Sequence, residues 1–203
     1  MKGYYFITDH TLSAAGIFHD AAQAIAERVS LIQYRNKSAS SRDLFAEALT
    51  LKRMCNGTTS RLIINDRVDI ALAVDADGVH IGQDDLPYAE TRRLVGPDKL
   101  IGVTVHTLEE ACQAESQGAD YLGVSPIYAT STKTDAGRAC GLETLRAIRR
   151  ACHIPIVAIG GITLANLSDV IAAGADMVCA ISAVVTKPDV AAEIRLWQKE
   201  FTV

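Results

Sequence analysis

Eight short apolar segments rich in β-branched residues alternate with eight amphipathic segments, and this alternation constrains the fold of the chain most. Apolar runs such as 155–159 are nearly continuous, which is typical of parallel strands covered on both faces. The strand candidates are residues 4–9, 30–35, 61–65, 77–82, 100–105, 121–127, 155–160 and 177–182. The helix candidates are residues 18–29, 40–55, 67–74, 87–95, 107–117, 141–151, 165–173 and 189–201.

Eight strand–helix pairs without a linker predict an α/β fold, a single closed (β/α)8 TIM barrel that forms one domain over residues 1–203. The alternative is an open doubly wound sheet, which usually has a glycine-rich first turn. The first turn here, around residues 9–11, contains no glycine. Helix-capping residues agree with the alternation, since Gly118 and Gly174 follow periodic segments and Thr107 and Asn166 can act as N-caps.

The composition limits the partners and the compartment. The chain is 49% hydrophobic, and its formal charge of −4 argues against nucleic acid or an anionic membrane as the main partner. No apolar stretch approaches the roughly 20 residues that span a bilayer, and no secretory signal pattern opens the sequence. The 5 cysteines are scattered without a CxxC pair. We expect reduced thiols and a cytoplasmic location, and a homo-oligomer is left open.

In a barrel of this kind, catalytic groups lie at the C-terminal ends of the strands and in the loops that follow. Ionisable or hydroxyl side chains stand at nearly every predicted strand end, and the seventh strand ends in Gly160–Gly161. The predicted strand starts are poorer in such groups. The polar residues are therefore expected to converge on one mouth of the barrel.

A basic group is predicted at this mouth. Arg35 and Lys37 are two residues apart at the end of the second strand, and Lys133 follows the sixth. Three cations that converge repel one another unless an anion neutralises them, which favours phosphate or pyrophosphate as ligand. The alternative is surface charge paired with nearby acids, which contributes little to stability.

An acidic pair is predicted beside it. Asp66 and Asp85 follow the third and fourth strands. Oxygen ligands from two loops suit Mg²⁺, which proteins usually hold with one or two carboxylates plus substrate phosphates. The alternative for Asp66 is a helix N-cap before Val68.

A second phosphate site is predicted from the last three strand ends. The sixth strand opens into a tract of hydroxyls, and Gly160–Gly161 and Ser182 follow the seventh and eighth strands. Barrels often bind phosphate between the last two loops. The alternatives are a solvated Ser/Thr loop and a tight turn that needs positive φ. Of the histidines, His106 is expected at the mouth and His80 as a hydrogen-bonded wall residue.

Five motifs in order resemble thiamine phosphate synthase, and the resemblance covers almost the whole chain. They are Tyr5-Phe6-Ile7-Thr8-Asp9, Gln33-Tyr34-Arg35-Asn36-Lys37, Leu62 to Arg67, Gly78 to Pro87 and Gly123 to Lys133, with Asp135-Ala136-Gly137 and Gly141-Leu142 following. Thr104 stands where the family commonly has serine, and Ala129 replaces a frequent proline. The stretch 138–140 also differs from the family's usual turn.

The resemblance implies that a hydroxymethylpyrimidine diphosphate joins a thiazole phosphate, or its carboxylated form, to give thiamine phosphate and pyrophosphate. It implies Mg²⁺ at Asp66 and Asp85 and catalytic roles for Arg35, Lys37 and Lys133. The pyrimidine diphosphate would be held by Gln33, Tyr34, Arg35, Asn36, Lys37, Asn65, Thr104 and Lys133. The thiazole phosphate would be held by Thr130, Ser131, Thr132, Gly161, Ile181 and Ser182.

Three other functions remain open from the sequence. A related thiazole tautomerase needs neither the acidic pair nor the hydroxyl–lysine tract. A non-catalytic barrel that senses thiamine precursors tolerates the loss of metal ligands. A sugar-phosphate isomerase barrel explains the phosphate site after strand eight but leaves Asp66 and Asp85 without a role.

Overall fold

The computed structural model describes residues 1–130 and 138–201. This part of the chain contains nine strands: β1 (Gly3–Tyr4), β2 (Phe6–Ile7), β3 (Leu31–Tyr34), β4 (Arg61–Asn65), β5 (Gly78–Ile81), β6 (Leu100–Val105), β7 (Tyr121–Val124), β8 (Ile156–Ile159) and β9 (Met177–Cys179). It also contains nine helices: α1 (Ile17–Ala26), α2 (Ser41–Cys55), α3 (Val68–Ala73), α4 (Tyr88–Val95), α5 (Leu108–Gln117), α6 (Gly141–Ala151), α7 (Leu167–Ala172), α8 (Ile181–Val185) and α9 (Val190–Lys199).

The strands form one parallel sheet that closes on itself. The strand order is β1-β9-β8-β7-β6-β5-β4-β3-β2, and every neighbouring pair is parallel. Strands β1 and β2 are two halves of one segment, separated only by Tyr5, whose N–H donates to Val178 O at 2.8 Å. Because β1 pairs with β9 and β2 pairs with β3, the segment joins the two edges of the sheet. The predicted TIM barrel is confirmed.

The continuous apolar runs became strands that are buried on both faces. All four residues of β3 and of β7 are buried, as expected for strands between a packed barrel interior and an outer layer of helices.

The helix caps predicted from the sequence are found in part. Thr107 caps α5 through a bond from Glu110 N–H, and Gly118 ends that helix in the left-handed conformation. Asn166 precedes α7, but its side-chain oxygen accepts from Thr163 N–H instead of capping the helix.

The predicted eighth strand over 177–182 was too long. It ends at Cys179, and Ile181–Val185 forms the short helix α8, so Ile181 and Ser182 lie on a helix. Ile181, Val184 and Val185 are buried at helical spacing. A short apolar run of this kind cannot be assigned to strand or helix by periodicity alone. Within the described residues, none of the helices has the length and apolar character needed to cross a membrane.

Candidate active site

The C-terminal ends of five neighbouring strands surround one open cavity, which we call the mouth cavity. Its volume is about 200 Å³. The sequence-predicted residues that line it are Arg35, Lys37, Asn65, Asp66, Asp85, Thr104 and His106. The structure therefore brings the predicted residues Arg35, Lys37, Asp66 and Asp85 to one place. The predicted residues Ser131, Thr132 and Lys133 lie outside the described residues.

Asp66 and Asp85 form a carboxylate pair in the mouth cavity. Both side chains line this cavity. Asp66 has a φ of +60°, and its N–H donates to His80 O at 2.8 Å. Asp85 Oδ2 accepts from Gly82 N–H at 2.6 Å, which fixes that carboxylate on the turn after β5. Asp66 does not cap α3, because Arg67 occupies the N-cap position and no side chain caps the helix.

This pairing is electrostatically unfavourable without a cation. Burial raises the pKa of the Asp66 carboxyl from 3.8 to about 6, and Asp85 adds repulsion and a hydrogen bond, while Lys37 and Arg35 act in the opposite direction. Two carboxylates in contact either share a proton or bind a cation. Among residues 1–130 and 138–201, no group of three or more His, Cys, Asp or Glu side chains could hold a metal ion. Two carboxylates beside an open cavity nevertheless fit Mg²⁺, which takes further oxygens from phosphate and water.

The basic side of the mouth cavity comes from the loop after β3. Arg35 lines the cavity, and its N–H donates to Thr8 Oγ1 at 3.0 Å. Lys37 is half exposed, with Nζ 3.7 Å from Asp66 Oδ2. A long, exposed ion pair of this kind contributes little to folding.

Tyr34 and Asn36 do not line the mouth cavity; their side chains reach the opposite way, to Glu47 on α2. Tyr34 hydroxyl and Asn36 Nδ2 both donate to Glu47 Oε2, which also bonds His10 Nε2 at 2.8 Å. Burial alone would raise the pKa of Glu47, but the bonds from Tyr34, His10 and Asn36 outweigh it and hold the pKa below its ordinary value. Asn36 Oδ1 also accepts from Ser38 and Ala39 N–H groups. This network holds the loop that carries Arg35 and Lys37.

A larger cavity of about 500 Å³ lies beside the mouth cavity, and we call it the glycine pocket. It is lined by the predicted residues Thr130, Gly161, Ile181 and Ser182, and also by Gly160, Thr163, Thr186 and Lys187. A Cβ on Gly160 would lie 2.5 Å from Pro126 Cβ, and one on Gly161 would lie 2.7 Å from Ala129 O. Both glycines have positive φ, at +105° and +63°. Gly160 and Gly161 therefore form a tight turn with positive φ, and the same turn brings their backbone to the pocket.

Lys187 was not identified from the sequence. It follows α8 and lines the glycine pocket, where it is the only side chain with a formal charge among the described lining residues. The error in the eighth strand hid it, because a strand ending at residue 182 gives no reason to look five residues further. Its position in a loop after the last strand is the signal that could have found it.

A narrow extension of the barrel interior forms the floor of the site. Gln33, His80 and Thr104 line this floor with Tyr5 and Gly123. Gln33 is only 1% exposed. His80 is hydrogen-bonded on both ring nitrogens, as expected for a wall residue. His106 lies at the mouth as predicted, and its Nδ1 donates to Ser125 O at 2.5 Å.

Ser125 lies where the three spaces meet. It is 7% exposed and lines the mouth cavity, the glycine pocket and the floor. Ligands held in the two larger cavities would therefore meet beside it. A parallel (β/α)8 barrel with carboxylates, cations and a glycine-lined pocket at the C-terminal ends of its strands belongs to the class of barrel enzymes that act on small molecules.

Comparison with known proteins identifies the particular family. A family profile described as thiamine monophosphate synthase matches residues 4–184. The thiamine-phosphate synthase of Chloroflexus aurantiacus is 54% identical over 193 residues, which cover 94% of this chain and 88% of that protein. That of Methanospirillum hungatei is 50% identical over 195 residues, covering 95% and 94%. This chain therefore belongs to the thiamine monophosphate synthase family and is a transferase.

A solved structure agrees in fold. Thiamine phosphate pyrophosphorylase from Pyrococcus furiosus matches with a TM-score of 0.90 at 38% identity, over 98% of this chain and 95% of that one. The barrel and its connections are thus shared along nearly the full length of both chains.

Proposed function

We propose that this chain joins a hydroxymethylpyrimidine diphosphate to a thiazole phosphate, releasing pyrophosphate and forming thiamine phosphate. The bond between the pyrimidine methylene carbon and the diphosphate oxygen breaks, and pyrophosphate leaves with the electron pair. The thiazole nitrogen then bonds to the methylene cation. The observation that carries the proposal is that Asp66 and Asp85 line one cavity together with Arg35 and Lys37, with a separate glycine pocket beside it.

The residues of the mouth cavity would hold the diphosphate. Arg35 and Lys37, joined by Lys133 as the sequence predicts, would stabilise the negative charge that develops on the departing pyrophosphate. Asp66 and Asp85 would hold Mg²⁺, which when bound neutralises diphosphate oxygens and so favours departure. No protein nucleophile or strong base is needed for this reaction. Catalysis would come from charge stabilisation and from the placement of two rings.

The glycine pocket would hold the acceptor. Its backbone groups at Gly160 and Gly161 and the hydroxyls of Thr130 and Ser182 surround a volume large enough for a thiazole phosphate. Thr104 and Gln33, at the floor, would contact the pyrimidine ring, and Asn65 would contact its diphosphate. The proposal covers residues 1–203 as one catalytic domain, and five free thiols fit the cytoplasmic location expected from the sequence.

One assay tests this function. Purified protein is mixed with both precursors and Mg²⁺, and thiamine phosphate and pyrophosphate are measured with and without metal. We expect both products in equal amounts, and only with metal present. Conversion of a thiazole carboxylate phosphate alone, without metal, would instead identify a tautomerase, and binding without turnover would identify a precursor sensor.

Replacing Lys187 with glutamine should raise the KM for the thiazole phosphate about tenfold, because a charge-assisted bond to phosphate is worth roughly 1.5 kcal/mol. The KM for the pyrimidine diphosphate should stay within about twofold, since Lys187 lines the glycine pocket and not the mouth cavity. Steady-state kinetics with each substrate varied in turn measure both values.

Lys2→Gln is the matched control, because exposed Lys2 precedes β1 at the opposite end of the barrel. It should change neither KM. Equal increases in both KM values for Lys187→Gln, or no increase, would contradict the placement of the acceptor phosphate near this lysine.

A further inference from the structure

Five side chains form a continuous hydrogen-bonded chain through the barrel interior, which we call the relay. Gln33 Nε2 donates to Tyr5 Oη at 2.8 Å, and Tyr5 Oη lies 2.9 Å from Tyr121 Oη. Tyr121 Oη lies 3.1 Å from His80 Nδ1, and His80 Nε2 lies 2.8 Å from Thr104 Oγ1. The two ends of the relay, Gln33 and Thr104, are the two polar residues that the proposed function places against the pyrimidine ring.

The barrel makes room for the relay with two glycines. A Cβ on Gly102 would lie 2.0 Å from Tyr121 Cζ, and one on Gly123 would lie 2.9 Å from His80 Cε1. Larger residues at these positions on β6 and β7 would displace both rings. The His80 and Tyr121 rings stack with centroids 5.5 Å apart. The packing at positions 102 and 123 therefore leaves room only for glycine. This indicates that the polar chain is a built feature of the interior.

The protons in the relay can be counted. Burial raises the pKa of the Tyr5 and Tyr121 hydroxyls, so each supplies one proton at any working pH. Because Gln33 donates to Tyr5, the Tyr5 proton points to Tyr121, and the Tyr121 proton points to His80 Nδ1. Nδ1 is then an acceptor, so a neutral His80 carries its proton on Nε2 and donates it to Thr104.

This direction decides what the two ends offer to a ligand. The Thr104 hydroxyl already accepts from His80, so its own proton is available to point into the floor. The Gln33 amide nitrogen donates to Tyr5. Gln33 Oε1 accepts no hydrogen bond from any described residue, and Gln33 lines the floor. At its two ends the relay therefore presents an acceptor, Gln33 Oε1, and a donor, Thr104 Oγ1, to the floor that both residues line.

We propose that Tyr5, Tyr121 and His80 are positioning residues that fix this acceptor–donor polarity and thereby select an aminopyrimidine. The inference rests on the proposed function and extends it to substrate choice. An exocyclic amine donates where Gln33 accepts, and the adjacent ring nitrogen accepts where Thr104 donates. An oxopyrimidine has a carbonyl and a ring N–H in these places, so both pairs would be reversed. A site with committed buried partners rejects such an analogue strongly, since its groups are left unpaired.

The test compares the aminopyrimidine diphosphate with its oxo analogue. In the wild-type protein, kcat/KM for the amino compound should exceed that for the oxo compound by at least about a thousandfold. Tyr121→Phe breaks the relay in the middle and frees His80 to donate from either nitrogen. It should reduce that preference at least tenfold while leaving the KM for the thiazole phosphate unchanged. Unchanged preference in Tyr121→Phe would overturn the proposal.

Tyr88→Phe is the matched control for a lost buried hydroxyl. Tyr88 hydroxyl donates to Gly118 O on the outer helical layer, away from the floor. Each variant loses two internal hydrogen bonds, those of Tyr121 with Tyr5 and His80 and those of Tyr88 with Gly118 and Arg92, so a purely structural role predicts a similar loss of stability and no change of preference in either. The preference should change only in Tyr121→Phe.

A direct reading of the ring completes the test. Nitrogen NMR of histidine-labelled protein, with the His80 signals assigned by their loss in His80→Gln, should show a protonated Nε2 and an unprotonated Nδ1. The opposite tautomer would overturn the proposal whatever the kinetics show. This measurement needs no turnover, so it tests the acceptor–donor polarity independently of the proposed function. Failure of the proposed function would instead appear as no thiamine phosphate from either pyrimidine.

Discussion

Asp66→Asn is expected to raise the stability of the metal-free protein at pH 7.5 by about 2 kcal/mol, or about 5 °C in Tm, while lowering synthase turnover at least about 100-fold. The pKa of Asp66 is raised from 3.8 to about 6 by burial and by Asp85, so its ionised form destabilises the folded state. Because the folded-state pKa lies above the unfolded-state value, this penalty is absent below about pH 3.8 and complete above about pH 6. The stabilisation by asparagine should therefore grow from pH 5 to pH 7.5.

Differential scanning calorimetry at the two pH values, with and without Mg²⁺, measures this effect. Mg²⁺ should raise the Tm of the wild type and leave that of Asp66→Asn nearly unchanged. Asp98→Asn removes an exposed carboxylate at the other end of the barrel and should change neither the Tm nor its response to metal. A lower Tm for Asp66→Asn at pH 7.5 would show that the carboxylate pair is not under electrostatic strain.

Arg35→Gln is expected to lower kcat about 100-fold or more, because the proposed function places this cation against the departing pyrophosphate. Arg35 lines the mouth cavity from the loop after β3, and the bond from its N–H to Thr8 holds the backbone there. Arg35→Lys should recover only part of the rate, since lysine keeps the charge but not the planar fork of donors. Single-turnover release of pyrophosphate measures the chemical step directly.

Arg61→Gln is the matched control for this variant. Arg61 is exposed at the first residue of β4, at the opposite end of the barrel from the mouth cavity. Its loss should leave pyrophosphate release unchanged. A normal single-turnover rate in Arg35→Gln would remove this arginine from the chemical step.

The sequence was sufficient for the barrel and for the placement of polar residues at one mouth. Closed parallel barrels have one active face, so residues at strand ends, such as Asp66 and Asp85, had to converge once the strands were recognised. The wall position of His80 could also be foreseen, because a histidine inside an apolar strand needs hydrogen-bond partners.

Side-chain direction could not be read in the same way. Tyr34 and Asn36 were themselves predicted to bind substrate, yet their side chains bond Glu47 on α2. Nor did any pattern indicate the relay, since Tyr5, Tyr121 and His80 meet only after three separate strands close into a barrel. Such long-range pairings depend on register, which the sequence pattern leaves open.

Ser125 borders all three spaces, so in the proposed function each of the two substrates would bind in its own cavity and the two would meet at a shared wall. Mutations that alter one anchorage need not disturb the other. A descendant of such a barrel could abandon the acidic pair and still capture a phosphorylated ring, or change its ring preference at the floor while keeping the same leaving group. In such a barrel, substitutions in one cavity could change one binding step while the fold and the other cavity stay the same.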